Sequence, residues 1–551
     1  MPEIARAGLQ KLVAPLRTAW RRNWFYRHLL KGKLSDRFLF HPYDALPRNL
    51  EDADLLLRGR FRFAGETVNI QEGSIFDVAP PSPAWRNALH SFAWLPPLAA
   101  AGGEPARLLA TTLIAQWMTR YLRYSEPEWS PELMAPRLIH IFAHGRFVIP
   151  NSDLLWRSKL FVSLREQSRQ LARTAASAPD GLPRMEAAAA LALSGACLDD
   201  GSKRLLLGTE RLEAEIARQI LPDGGHADRS PETLLHAYRL VVMVVDALSA
   251  LNHPTPGTLL SAHDRMAPML RFFRHGDGAL AVFNGGHECD GRMIAALLAR
   301  DQVRGASFGY APHSKYQRLA TARSRVVMDC GPVPEGVYAN AAHAGCLSFE
   351  FSAGAQRIVV NCGASEKWDG ALRGTAAHST VTLADRSMTS VLSQGIVRDL
   401  VGARMLGGPA NVTSERPATS QDLAVEARHD GYLRSFGVLH ERRLTLARDG
   451  HTLAGGDTLL PQSGRKKPVA YAIRFHLHPD VRVSPSQGGA VLLKLANGDG
   501  WRFRTGGEVS IEESIYLGGD LARKTEQIVI GGTVRAEPVE IAWVFERIGA
   551  T

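Results

Sequence analysis

The chain has 551 residues, enough for two to four domains of roughly 100–200 residues with sizeable cores. Apolar residues make up 45% and charged residues 22%, near the average for globular chains, which excludes disordered and fibrous classes. The net charge of +10 is concentrated at one end: residues 1–33 hold eight basic side chains against Glu3, leaving +3 for the remainder, without the basic face that nucleic-acid binding needs.

Residues 1–79 read as a basic N-terminal segment and lead-in. The run LQKLVAPLRTAWRRNWFYRHLL (9–30) places apolar residues at near-helical spacing. Its arginines interrupt any apolar core, so it does not read as a secretory signal. Two readings stand. One is an interfacial helix on an anionic membrane, anchored by Trp20, Trp24, Phe25 and Tyr26. The other, favoured because Pro15 interrupts the stripe, is a helix packed on its own protein. GRFRFAGETVNI (59–70) then reads as strand.

From PPSPAW (80–85) to about residue 273 the apolar spacing is i, i+3, i+4. Seven amphipathic helices with short joins, several ended by Gly or Pro, predict an array of helical hairpins over residues 80–290. The boundary lies in RFFRHGDGALAVFNGGHECDGR. Beyond it come short alternating runs such as SRVVMDC, STVTLA, AYAIRFHLH and EIAWVFE, separated by Gly-rich turns. They predict an antiparallel β-sandwich over residues 300–548. Helices first and strands second give an α+β multidomain class. No stretch of 18 consecutive apolar residues is present, so no spanning helix is expected. The five cysteines are scattered and form no CxxC pair, and are expected to be small buried hydrophobes.

Walker A, strand–GxGxxG–helix, HExxH and GxSxG patterns are all missing. Histidine carries the chemical signal, with 19 residues clustered in turn-like contexts where an imidazole serves as base, acid or ligand. The clusters are LPDGGHADRSP (His226, Arg229), NGGHECDG (His287, Glu288), YAPHSKYQR (Tyr310, His313, Arg318), RGTAAHSTVTLADRS (Arg373, His378) and ARHDGY (His429). In RFHLHPD, His476 and His478 share a strand face with Arg474, which favours a cross-strand network over a metal site.

The elements RGTAAHSTVTL, ARHDGY, YAPHSKYQRLATARSRVVMDCG and AIRFHLHPDV resemble the C-terminal part of the heparinase II/III family. The helical half, with LPDGGHADRSP near its end, resembles that family's N-terminal domain. The likeness covers roughly residues 80–545. It implies an (α/α) toroid of helical hairpins followed by an antiparallel sandwich. The implied chemistry is β-elimination on a uronic-acid-containing, heparin-like or other acidic polysaccharide, with a base, an acid and a cation to stabilise the carbanion.

Carried onto this chain, the resemblance nominates His378 as catalytic, and His226, Tyr310 and His313 are catalytic candidates as substitutes for family residues that are missing. Arg229, Arg318 and Arg373 become substrate-binding candidates, and His378, Asp399 and His429 a structural Zn or Ca set, no cofactor being required. The chain also departs from the family pattern. In ADRSPETLLHAY, Arg229 occupies the Glu place and Thr233 the approximate Tyr place. LSGACLDDGSKR lacks the expected Asn, and Ala376 stands where a second His sometimes occurs. The alternative is therefore a divergent, non-catalytic acidic-glycan-binding protein of envelope polysaccharide metabolism. The expected location is cytoplasmic or at the inner membrane, with peripheral contact through residues 1–33. The cell envelope, where related lyases act, is the alternative.

Overall fold

The computed structural model describes residues 2–45, 50–149, 153–300, 308–417, 422–462, 467–519 and 521–549. They group into two compact units, one of residues 1–219 with 236–263, the other of residues 220–235 with 264–551. The segments 220–235 and 264–290, assigned to the helical half by their sequence texture, fold with the strands because their loops bond to them. Asp223 accepts from the His313 and Ser314 amides, and the His275 ring meets Ser352 and Glu350.

In the first unit, α1 (Pro2–Arg22) continues through Pro15 and is followed by α2 (Trp24–Leu30). The Asn23 side chain caps α2 by accepting from the Phe25 amide. Trp20, Trp24 and Phe25 are exposed, whereas Tyr26 is buried with its hydroxyl on Gln170. Tyr26 therefore fastens α2 to the protein and is not a surface anchor. Next come α3 (Leu50–Leu57) and a hairpin of β1 (Arg60–Phe63) with β2 (Glu66–Asn69). The helices α4 (Pro83–His90), α5 (Leu95–Ala101), α6 (Gly103–Tyr121), α7 (Pro131–Val148), α8 (Leu154–Thr174), α9 (Leu182–Cys197) and α10 (Ser202–Gln219) form the hairpin array.

Residues 187–197 of α9 are buried without interruption. Small residues let α9 and α10 meet backbone to backbone: a Cβ at Gly208 would lie 2.2 Å from the Ala192 amide nitrogen. α11 (Pro231–Ala250) and α12 (Gly257–Phe273) follow, then α13 (Gly291–Leu298). Among the described residues α11 is the one helix long and apolar enough to cross a membrane, but 67% of its apolar window is buried in the protein, as in a core helix.

Besides a two-stranded ribbon of β9 (Thr389–Val391) with β10 (Met405–Gly407), the second unit is built from two large antiparallel sheets. One runs β11 (Val412–Glu415), β12 (Asp422–His429), β13 (Val438–Ala447), β14 (Thr452–Pro461), β21 (Val539–Arg547), β18 (Gly500–Thr505), β17 (Val491–Lys494), β16 (Arg482–Pro485). The other runs β19 (Glu508–Tyr516), β20 (Arg523–Val534), β15 (Val469–Leu477), β7 (Gln356–Val360), β6 (Phe349–Ala353), β5 (Ser324–Asp329), β4 (Tyr316–Ala320), β3 (Tyr310–Ala311), with β8 (Val381–Leu383) also on β15. Strands β13 and β18 alternate buried and less buried positions, as a half-buried sheet demands.

Phe349 stacks on Trp543 across the interior, and Phe351, Phe475, Trp501 and Phe545 complete an aromatic core. Inside it Asp457 accepts from Arg442, Trp543 and His440, and His440 in turn meets His429. Arg442 passes its remaining hydrogens to the Leu347 and Ser379 carbonyls, which completes a buried polar network.

Candidate functional site

The turn between α10 and α11 is set by its sequence. Gly224 adopts φ +89°, and a Cβ there would lie 2.1 Å from the Arg265 carbonyl oxygen, so only glycine fits. Asp223 is fully engaged: its carboxylate accepts from the Gly225, His313 and Ser314 amides and the Ser314 hydroxyl at 2.7–3.2 Å. His226 is buried, with Nδ1 2.7 Å from Asp228 Oδ1 and its ring edge-on to Tyr338. Ser230 then caps α11 by accepting from the Thr233 amide, with Pro231 at the first helical position.

Arg229 is the largest departure from expectation. It is buried at φ +64°. Its guanidinium donates to the Ser314, Lys315 and Pro332 carbonyls and to the Asp329 carboxylate, and lies over the Tyr316 ring. Burial alone would depress this guanidinium, but Asp329 overrides it and holds it above the ordinary arginine range. Arg229 is a structural cation, not a clamp for a substrate carboxylate. Its carbonyl receives the Tyr316 hydroxyl and the Asn284 amide, and Asn284 Oδ1 accepts from the His343 amide.

His343 leads to His378. The two rings meet edge-on at 5.2 Å. His378 is buried, and among the described residues neither of its nitrogens has a hydrogen-bond partner. The Ser348 hydroxyl beside it is likewise unsatisfied. Gly345 admits the ring, since a Cβ there would stand 3.3 Å from it. Burial, then His343 and His476, push His378 well below the ordinary histidine range, and burial with Arg373 pushes His343 to about 3. The pair is two neutral imidazoles. Arg229, Asp329 and His343 line one recess with essentially no free volume, unlike a ligand pocket.

The other nominated residues do not join this group. Tyr310 and His313 are exposed on and after the short edge strand β3. Arg318 sits on β4, its carbonyl receiving Arg416, and is lowered to about 10 by burial and by Arg325. Arg373 is buried and donates to the carbonyls of Ala339, Ala342 and Ala403, so it too is structural. The proposed metal set does not form. Asp399 lies exposed beside Arg398 on α15 (Ile396–Val401), following α14 (Asp369–Leu372). His429 spends Nδ1 on the Gly431 amide and Nε2 on His440. Among the described residues no group of three His, Cys, Asp or Glu is placed to hold a metal, so no step is routed through one.

His476 bonds to Ser514 and to the Ala376 carbonyl, and Arg474 to Thr382 and Asp385, the network their shared face favours. One pairing escaped the sequence reading. Glu232 of α11 holds Nδ1 of half-exposed His287 at 2.9 Å and also accepts from its backbone amide. The neighbouring Glu288 is different: burial opposes its charge, but His478, Arg357 and Tyr516 hold it down to about 2. The only sequence signal for His287–Glu232 was an imidazole in a Gly-rich loop, with its partner 55 residues earlier.

The sequence model for "Heparinase II/III-like, C-terminal" matches residues 303–544. FtsZ-localized protein C of Caulobacter vibrioides (strain NA1000 / CB15N) is 32% identical over 541 residues, covering 95% of this chain and 93% of that protein. The crystal structure of heparinase III superposes with a TM-score of 0.66 at 14% identity, covering 100% of this chain and 92% of that one. A mutant of heparan sulfate lyase HepC from Pedobacter heparinus gives 0.60 at 14% identity, covering 95% and 87%. At such identities the solved structures share the fold, a helical toroid followed by an antiparallel sandwich.

Proposed function

The chain belongs to the heparinase II/III-like family, and from that premise we propose that it recognises an acidic, uronate-containing polysaccharide without cleaving it by β-elimination. Elimination needs a reachable base, an acid for the leaving oxygen and a cation on the uronate carboxylate. The observation that carries this reading is the commitment of Arg229 to Asp329 and three carbonyls. With Arg373 also committed, His378 buried and Thr233 in the tyrosine place, the groups at the family's own catalytic places are withdrawn from a substrate. What remains at the surface is suited to binding: half-exposed His287 held by Glu232, and exposed Tyr310 and His313.

Affinity electrophoresis through gels containing heparin, heparan sulfate, chondroitin, hyaluronan or alginate tests recognition. At least one polymer retards the chain, and Tyr310→Ala with His313→Ala relieves the retardation. Equal mobility in every gel refutes it.

A second observation favours attachment to a membrane surface. Leu16, Trp20, Trp24, Phe25 and Leu29 are all more than half exposed, and Arg17, Arg22 and Arg27 lie among them, the composition of an interfacial helix. We extend to this chain the location in its relative's name, at FtsZ. A fluorescent fusion that fails to coincide with labelled FtsZ contradicts that extension.

A further inference from the structure

The chain leaving α2 is lashed to α8 by a ladder of arginines. Arg165 donates to the Gly32 carbonyl, Arg169 to that of Lys31 and Arg173 to that of Leu29. A Cβ at Gly32 would lie 2.1 Å from the Arg169 guanidinium, so a larger residue there would displace that arm. Beside this seam Lys33, Arg165, Arg169 and Arg204 line a shallow surface recess with Asp199 and Asp200, four cations against two carboxylates.

Among the described residues no carboxylate hydrogen-bonds these guanidinium groups, although Arg165 is ion-paired with Glu166 at 3.6 Å. The nearest carboxylate to Arg169 is Asp200 at 3.6 Å, beyond hydrogen-bond reach. The buried Nε–H groups of Arg165, Arg169 and Arg204 all lack an acceptor among the described residues. Among the described residues Arg204 donates to the Asp200 and Ser194 carbonyls, at 3.3 and 3.4 Å, and burial and the Arg169 charge depress it against the opposing pull of Asp200. Three orphaned donors on mutually repelling guanidinium groups are what a tetrahedral oxyanion satisfies.

We propose that this recess binds the phosphate of an anionic membrane lipid while the aromatic side of α2 lies on the bilayer. The inference rests on the membrane reading above and adds the site and the headgroup class. Leu29 of α2 is exposed, and Lys33 follows it by four residues, a reach of at most about 14 Å. An interfacial helix buries its apolar side about 5–10 Å into the headgroup boundary, the layer that holds the lipid phosphates. Guanidinium forks suit phosphate better than ammonium does.

Vesicle sedimentation with the full chain tests it, using phosphatidylcholine alone and phosphatidylcholine with phosphatidylglycerol. The wild type prefers the phosphatidylglycerol vesicles, inorganic phosphate competes, and Arg204→Gln or Lys33→Gln weakens that preference about fivefold per charge removed. Arg443→Gln, an exposed charge on the sandwich, serves as the matched control and leaves it unchanged. Trp24→Ser probes the membrane reading separately and weakens binding to both vesicles. If the wild type sediments with neither vesicle, both readings fall. If Trp24→Ser abolishes binding while Arg204→Gln and Lys33→Gln behave like Arg443→Gln, attachment stands and the phosphate recess is overturned. Phosphate binding with no preference between vesicles also overturns the lipid assignment.

Discussion

Arg229 and Asp329 form a buried ion pair between the turn ahead of α11 and the end of β5, although 100 residues separate them. Asp329 also accepts from the Gly331 amide, and Arg229 fills its other hydrogens with carbonyls. The pair ties the turn ahead of α11 to the strands and withdraws the cation that turn offered for chemistry.

Breaking the pair leaves an uncompensated buried charge. Asp329→Asn and Arg229→Gln are each expected to lower stability by about 3–5 kcal/mol, read by urea unfolding. A loss below about 1 kcal/mol would show a pair of surface character and reopen Arg229 as a substrate ligand.

His343 makes acid stability measurable. Its folded pKa of about 3 lies below the ordinary 6.5, so its contribution is present above 6.5 and is lost as pH falls towards 3. Between pH 6.5 and 4.5 this amounts to about 2 kcal/mol. Over that interval His343→Gln loses less stability than the wild type by about that amount. Equal slopes in the two proteins would contradict a buried neutral imidazole.

The thiols report compactness. Cys197, Cys330, Cys346 and Cys362 are buried and Cys289 is partly exposed, with no disulfide among them. Burial raises the thiols of the first four, which suppresses the reactive thiolate. A thiol-specific dye is expected to label one cysteine per native chain rapidly and all five after denaturation. Fast labelling of two or more in the native chain would contradict the packing.

Gly208→Ala tests the α9–α10 contact. The added methyl would meet the Ala192 backbone at 2.2 Å, where no side chain can rotate away, so a loss towards the upper end of about 1–3 kcal/mol is expected. An unchanged melting temperature would show that the helices are farther apart.

Local pattern explains what was legible in the sequence. The period-2 runs became strands because alternation is fixed by the pleat, as in β13, and the Ser230–Pro231 start of α11 was readable from capping chemistry. The fates of the site residues depended on distant partners. Nothing near Arg229 announces Asp329, and nothing in RGTAAH announces that Ala339, Ala342 and Ala403 consume Arg373. His378, Asp399 and His429 suggested a ligand set by residue type and order. The fold instead puts Asp399 on an exposed helix and His429 into a relay with His440.

The central claim is that the lyase fold is kept while elimination is lost. The most direct measurement is ultraviolet absorbance of the unsaturated uronate product during incubation with heparin, heparan sulfate, chondroitin, hyaluronan, alginate and bacterial exopolysaccharides, with and without added zinc or calcium. The account predicts a flat trace for polymers that retard the chain in affinity gels. Rising absorbance that disappears in His378→Ala would contradict it and return His378 to the role of catalytic base.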